Sequence, residues 1–151
     1  MSISKKHRSF DDRAGSTEPL TRKQVQDALR RRQSLEGMDM RGTDLSGLVF
    51  DDADLQSAKL ADADLSGCSF VGANLMNASM WHANLHNANL DNCNLEGADL
   101  DFSNLEGCTV KDAKIRKAIF PLARIPMERL KKAVTTGHRL YMDSLRTPEK
   151  G

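Results

Sequence analysis

The stretch MDMRG TDLSG LVFDD ADLQS AKLAD ADLSG CSFVG ANLMN ASMWH ANLHN ANLDN CNLEG ADLDF SNLEG CTVKD AKIRK, residues 38–117, decides the fold of this 151-residue chain. It contains sixteen consecutive five-residue blocks without an insertion or deletion, and the third residue of every block is apolar. A period of five matches neither the 3.6 residues of a helical turn nor the two-residue alternation of a strand. A fixed short period instead indicates a repeat architecture.

The five block positions predict a coil with corners. The first position holds nine Ala and three Cys, the second holds Asp or Asn in ten blocks, and the fifth holds Gly in six. We expect positions one to three to be extended, with the first and third side chains pointing inward. Positions four and five would turn the chain, as the glycines indicate. Stacked coils would then exchange backbone hydrogen bonds, which satisfies the buried peptide groups.

Blocks of the form A-(D/N)-L-x-x closely resemble the pentapeptide-repeat family, which is mostly bacterial. The resemblance implies an all-β fold, a right-handed quadrilateral β-helix with four sides per coil, and residues 38–117 would make about four coils. Third-position residues would stack in columns that fill the interior, with Leu85 in the middle of one of them. The chain has no apolar run of transmembrane length and no signal-like start, so we expect a cytoplasmic protein without membrane insertion.

The ends of the chain are predicted to be caps around one solenoid domain. The capping box Thr21-Arg-Lys-Gln24 predicts a helix over residues 22–31, within an N-terminal cap of residues 20–32. Residues 1–19 are polar and charged and are predicted to be a flexible basic tail. The solenoid would span residues 33–120, starting with the imperfect block QSLEG and ending with the broken block AIFPL.

Residues 121–151 are predicted to be a C-terminal cap and tail. Pro126 would open a helix over residues 126–135, with Met127, Leu130 and Val134 as its apolar stripe and Gly137 ending it. Such caps are needed because the bare edges of a solenoid recruit other strands. The segment of residues 138–146 either packs on this cap or forms a contact in a homodimer.

The three cysteines all occupy the small inward position. Cys68 and Cys108 would lie on the same side of the coil but about 9.5 Å apart, which is beyond the roughly 7 Å that a disulfide spans. Cys93 would lie on a different side. We therefore expect three buried free thiols that act as small apolar residues.

No pattern in the sequence indicates catalysis or a cofactor. His82 and His86 are four residues apart but would straddle a corner, so we expect solvated surface residues and no metal site. There is no nucleophile with an assignable base, no phosphate-binding glycine loop and no paired-carboxylate pocket. A filled coil leaves no internal cavity, so the chain is predicted not to be an enzyme.

The net charge of +1 hides a segregation of charge along the chain. Residues 33–120 contain fourteen acidic and six basic residues, so their net charge is −8. Residues 1–32 contain nine basic and four acidic residues (+5), and residues 121–151 contain seven and three (+4). Because both ends carry the same sign, we do not expect head-to-tail filaments.

One outward region has the composition of an interaction hot spot. Trp81 and His82 occupy positions four and five of one block, and Phe102 occupies position five one coil later, above His82. Met76 and Val71 are outward at neighbouring corners. Aromatic clusters on a surface are typical of partner binding, so these five residues are the predicted binding site.

Two classes of function remain open. The first is a non-enzymatic protein-binding module or adaptor. Residues 20–24 (LTRKQ) and 34–48 (SLEGMDMRGTDLSGL) are similar to the start of pentapeptide modules that accompany bacterial contractile secretion systems. The second is a DNA mimic that binds DNA gyrase, as the family resemblance implies for acidic solenoids. Its carboxylate rows would imitate phosphates; they contain Asp44 and Asp64, and Asp91, Glu96, Asp101 and Glu106.

A third alternative is that the basic caps contact nucleic acid or acidic lipid. Such runs of charge are more often the solvated face of a helix, so direct nucleic-acid binding is the least favoured.

Overall fold

The computed structural model describes residues 17–144, which wind into a β-solenoid closed by two helices. Parallel bridges connect residues twenty apart, from Asp39–Lys59 at one end to Asp99–Ile119 at the other. The offset of twenty residues agrees with four five-residue blocks per turn of the chain. The third-position side chains are fully buried from Leu35 to Val110, so the interior is a continuous apolar column.

Each block contributes one rung of backbone hydrogen bonds. In the block that contains Leu75, the Leu75 N–H donates to the Asn94 carbonyl of the next coil at 2.8 Å, and the Asn74 N–H donates to the Ala53 carbonyl of the preceding coil at 2.9 Å. The blocks between residues 58 and 102 repeat this pattern. The buried peptide groups are therefore satisfied although no rung is long enough to form a regular strand.

The corners are tight turns with a left-handed fifth residue. The Ala73 N–H donates to the Phe70 carbonyl at 3.0 Å and closes the corner between them, where Gly72 has φ 70°. A four-residue turn in which only the third residue has positive φ is a type II turn. Every fifth position from Gly37 to Lys117 has positive φ, which explains the frequent Gly and Asn there.

The second-position Asp and Asn residues stabilise the corners. The Asp44 side-chain oxygen accepts the Ser46 N–H at 3.0 Å, and the Asn94 side chain accepts the Glu96 N–H at 2.9 Å. This contact with a backbone group two residues ahead is an Asx turn. The sequence pattern had indicated only an outward polar residue at this position, but the structure shows why that residue is Asp or Asn.

The N-terminal edge is closed by helix α1, Arg22–Arg30. The predicted capping box is present, since Thr21 accepts the Gln24 N–H and the Gln24 side chain accepts the Thr21 N–H. Val25 and Ala28 are buried on the first coil. The imperfect block 33–37 already follows the repeat geometry, because Leu35 is buried and its N–H donates to the Asp54 carbonyl at 2.9 Å.

The C-terminal edge is partly closed by helix α2, Met127–Thr136, with Pro126 as N-cap and Gly137 (φ 81°) as C-cap. The predicted apolar stripe was wrong in part: α2 buries Leu130 and Ala133, whereas the Met127 side chain is 43% exposed. A helix lying across a narrow interior buries only one row of residues three or four apart, and a small alanine lets it approach closely.

The segment after α2 folds back on the same chain. Leu140 is fully buried, and it exchanges backbone hydrogen bonds of 2.8 Å with Gly107 and Cys108 of the last coil. This part of the predicted segment also packs on the cap, because the Arg129 side chain of α2 donates to the Tyr141 carbonyl at 2.7 Å. Residues 145 and 146 of that segment, and residues 1–16 of the predicted tail, lie outside the described residues. Neither α1 nor α2 is long and apolar enough to cross a membrane, within residues 17–144.

Candidate partner-binding surface

An aromatic pair stands out on one corner of the solenoid. The Trp81 and Phe102 side chains are 43% and 65% exposed, and their ring centroids lie 5.8 Å apart in an edge-to-face arrangement. The His82 N–H donates to the Asp101 carbonyl at 3.0 Å, which fixes the backbones of the two corners relative to each other. The backbone positions from which the two exposed rings project are therefore fixed relative to each other.

His82 is the third member of this cluster. Its ring lies 5.3 Å from the Trp81 ring, and its Nδ1 lies 2.7 Å from Oδ1 of Asp62, one coil below. Phe102 lies one coil above His82, in the register that the sequence predicted, and its ring contacts that of Trp81. We refer to Trp81, His82 and Phe102 as the aromatic corner.

The backbone conformation of Phe102 is unfavourable for a residue with a large side chain. Its φ is 59°, in the left-handed region that bulky residues rarely adopt. Position five elsewhere holds mostly Gly, Asn, Asp or Ser, which tolerate this conformation. An exposed phenyl ring at such a position costs stability without filling the core, so its presence favours a role outside folding.

The two other predicted site residues lie at different corners. Met76 is half-buried and borders a shallow depression of about 290 Å³ with Asn77, Glu96 and Arg116. Val71 is half-buried, and its N–H donates to Asp51 Oδ1 at 3.0 Å. The structure thus brings together Trp81, His82 and Phe102, and it leaves Met76 and Val71 apart from them.

Two further exposed apolar residues lie toward the C-terminal end of the solenoid and are not part of the aromatic corner. Ile119 is 51% exposed, and its backbone is bridged to Asp99 on the side of the coil that leads to Phe102. Leu122 is 47% exposed and lies where the chain leaves the repeat, after Pro121. The signal for Ile119 was available in the block AIFPL, where an isoleucine occupies the usually polar second position.

Carboxylates surround the aromatic corner. Asp62 is exposed, and Asp99 and Asp101 are half-buried on the adjoining side and corner. Asp44 lies on the next side, where hydrogen bonds from the Ser46 hydroxyl and N–H lower the pKa of its carboxyl group. The apolar surface therefore has a negatively charged border.

The three cysteines are buried free thiols, as predicted. Burial away from water raises the pKa of the Cys68 thiol to about 11 and those of Cys93 and Cys108 to about 12. The Cys68 and Cys108 thiols donate to the carbonyls of Leu45 and Leu85 at 3.0 and 2.8 Å. They remain protonated and unreactive at neutral pH.

Within residues 17–144, no three His, Cys, Asp or Glu side chains are grouped closely enough to hold a metal ion. His82 and His86 are both exposed. The His86 N–H donates to the Asn84 side chain in one of the Asx turns at 3.1 Å.

Comparison with known proteins assigns the repeat to a family. A family model described as "Pentapeptide repeat region" matches residues 44–120, which is half of the chain. No curated protein matches the chain.

Two solved structures show the same architecture. The pentapeptide repeat protein Rfr23 from the cyanobacterium Cyanothece 51142 is 35% identical over 54% of this chain, with a TM-score of 0.52. The chain covers little more than half of Rfr23, 56% of its length. The pentapeptide repeat protein alr5209 from Nostoc Pcc 7120 is 25% identical over 64% of this chain and 82% of its own, with a TM-score of 0.56.

Proposed function

Since this chain belongs to the pentapeptide-repeat family, whose members fold as right-handed β-helices, we propose that it is a non-enzymatic protein-interaction module. It presents the aromatic corner of a rigid solenoid to a protein partner. The observation that carries the proposal is the exposed Trp81–Phe102 pair, with Phe102 in a backbone conformation that disfavours its side chain.

The geometry of the pair suits a binding hot spot. Trp is among the residues enriched in hot spots, and a rigid aromatic pair loses little conformational freedom on binding. Backbone hydrogen bonds from Asp62 to the Trp81 carbonyl and from His82 to the Asp101 carbonyl fix the backbone from which the two rings project. Binding at this surface would therefore not need a rearrangement of the solenoid.

The charge around the corner defines the chemistry of the partner. Asp62, Asp99 and Asp101 border the apolar rings, so the complementary surface has an apolar residue flanked by Lys or Arg. An accessory role in a bacterial contractile secretion system, in the cytoplasm, is the more specific form of this proposal. It is supported by the likeness of residues 20–24 and 34–48 to modules of that kind.

A pull-down from the native organism tests the proposal. The double variant Trp81→Ser/Phe102→Ser should keep the thermal stability of the solenoid and lose a partner that the wild type retains. A matched control is Met127→Ser/Tyr141→Ser, which removes two exposed apolar side chains from the C-terminal cap. Recovery of the same proteins by the wild type and the Trp81/Phe102 variant would contradict the proposal.

The alternative function is a DNA mimic that binds gyrase. The bridged pair Asp44–Asp64 stacks two carboxylates on one side of the solenoid, which favours it. The same column continues with Asn84 and Asn104, so the row of charge is short. Inhibition or protection of gyrase in a supercoiling assay, lost in an Asp44→Asn/Asp64→Asn variant, would favour mimicry over the adaptor.

A further inference from the structure

The last coil of the solenoid has an edge that is only partly completed by the C-terminal cap. On one side, the Gly107 N–H donates to the Leu140 carbonyl and the Leu140 N–H donates to the Cys108 carbonyl, both at 2.8 Å. At the next corner, the Asp112 N–H donates to the Val134 carbonyl of α2 at 2.8 Å. At these places the cap replaces the missing next coil.

Residues 113–119, which we name the C-terminal rim, have no such replacement within the described range of 17–144. The N–H groups of Ile115 and Lys117 donate to no residue among 17–144, and the carbonyls of Ala113 and Ala118 accept from none. In the preceding coils, from residue 53 onward, the equivalent groups pair with the coil above. The C-terminal rim is therefore an edge with open backbone donors and acceptors.

The apolar interior also reaches the surface at this rim. Ile115 is half-buried, whereas the third-position side chains from Leu35 to Val110 are all fully buried. Ala118 is half-buried as well, and Ile119 is 51% exposed. At the rim, backbone groups therefore lack partners within residues 17–144, and part of the hydrophobic interior is accessible to solvent.

The charge of the rim is opposite to that of the rest of the solenoid. Four of the six basic residues between positions 33 and 120 lie in the run KDAKIRK at 111–117. The side chains of Lys114, Arg116 and Lys117 are exposed. An incoming chain at this edge would meet a positive border, whereas the aromatic corner has a negative one.

We infer that the C-terminal rim binds an acidic, extended segment of a partner protein, which adds to the solenoid as one more rung. Such strand addition satisfies open main-chain groups and takes its specificity from alternating side chains. The site is separate from the aromatic corner, and the inference does not depend on the function proposed for that corner.

The rung below specifies the register of the segment. Lys114 bridges Asn94, because its N–H donates to the Cys93 carbonyl and its carbonyl accepts the Leu95 N–H. A ligand residue above Lys114 would in the same way donate to the Ala113 carbonyl and accept from Ile115. The ligand residue above position 113 should then be small, and the one above position 115 should be large and apolar. Those above positions 114, 116 and 117 should be acidic.

A second copy of this chain fits the rim less well. The rim of another copy carries the same positive charge, so pairing two rims brings like charges together. The other edge of the solenoid is occupied, because α1 lies over it and the Leu20 N–H already donates to the Asp39 carbonyl at 2.8 Å. Charge complementarity therefore selects an acidic partner segment.

Synthetic peptides probe the inference directly. The probe is the fluorescein-labelled peptide GAELEEG, titrated with the full chain at 150 mM salt and followed by fluorescence anisotropy. Three control peptides change one property each: GAKLKKG reverses the charge, EGEALGE keeps the composition but not the order, and a GAELEEG methylated on the first glutamate nitrogen cannot donate to Ala113. We expect each control to bind at least about tenfold more weakly.

Hydrogen exchange provides the structural readout. The amide protons of Ile115 and Lys117 should become protected when GAELEEG binds, and those of the aromatic corner should not change. The variant Lys114→Glu/Arg116→Glu/Lys117→Glu should weaken binding at least about tenfold. The matched variant Lys23→Glu/Lys131→Glu/Lys132→Glu changes three exposed lysines of the caps and should bind as the wild type does. Circular dichroism confirms that each variant is folded.

Four outcomes would overturn the inference. Equal binding of EGEALGE would reduce the rim to a non-specific positive patch, and unprotected amides at Ile115 and Lys117 would exclude strand addition. Tighter binding of a twenty-nucleotide oligothymidine than of GAELEEG would make the rim a nucleic-acid contact. A concentration-dependent dimer that is lost in the Lys114/Arg116/Lys117 variant would assign the rim to a second copy.

Discussion

Truncation of Leu95 and truncation of Ile115, two side chains of the same interior column, should lower the free energy of unfolding by very different amounts. Leu95 and Ile115 occupy the same position in successive coils, and their blocks are joined by the Leu95 N–H to Lys114 carbonyl bond of 2.7 Å. Leu95 is fully buried, whereas Ile115 lies at the C-terminal rim and is half-buried. The pair therefore compares the closed interior with its open end.

The expected magnitudes follow from burial. Leu95→Ala leaves a closed cavity between two coils and should destabilise the fold by about 3 kcal/mol, within the range for buried leucines. Ile115→Ala removes a side chain that water already reaches, so only part of the transfer free energy is lost and no closed cavity forms. Its cost should be about 1 kcal/mol or less.

Urea unfolding measures both costs. With a slope of about 1.5 kcal/mol per molar urea, Leu95→Ala should lower the midpoint by about 2 M and Ile115→Ala by less than about 0.7 M. Circular dichroism and the fluorescence of Trp81, the single tryptophan, should give coincident transitions. Equal costs for the two variants would refute the open rim and with it the proposed strand addition.

Three further predictions concern the corners, the thiols and the core. Gly97→Ala and Gly47→Ala both place a side chain at positive φ, but only at Gly97 would the new Cβ meet the Asn77 side chain, so thermal melts should show Gly97→Ala to be less stable by about 1 kcal/mol. The native thiols should not react with a thiol reagent at pH 8. A native chain that reacts at pH 8 would contradict the burial of these thiols. Because burial raises the thiol pKa values above the 9.0 of the unfolded chain, the free energy of unfolding should be unaffected by the thiols below pH 9 and should fall as the pH rises towards 11, by about 1.4 kcal/mol per pH unit for each thiol. The triple Cys→Ala variant should lose this pH dependence. Leu85→Asp should unfold the middle of the solenoid, and an unchanged melting temperature would be incompatible with its buried position.

The repeating part of the fold was predictable because the residues that determine the conformation of each block lie within that block. An apolar third residue, a small first residue and a turn-forming fifth residue act within five positions, and their effect does not depend on distant contacts. The capping box at Thr21 is equally local, and it is present as predicted. The buried free cysteines follow from the same block positions.

The candidate surfaces were less predictable, because they depend on how separate coils and caps meet. The sequence placed Trp81 and Phe102 one coil apart, but the direction of the two rings decides that Phe102 contacts Trp81. Met76 and Val71 were grouped with them by spacing, although each lies at a different corner of the coil from the aromatic pair. Ile119 was missed because the last block was interpreted as broken, while its backbone still follows the ladder.

The sequence by itself determined the solenoid, since a five-residue period with inward apolar residues can bury its core only by coiling. Only the tertiary structure decided which edges of that solenoid are closed. Residues 121–144 fold back over one part of the last coil and leave backbone groups of residues 113–118 without partners among the described residues. That outcome depends on long-range packing of α2 and Leu140, for which no local pattern in the chain codes.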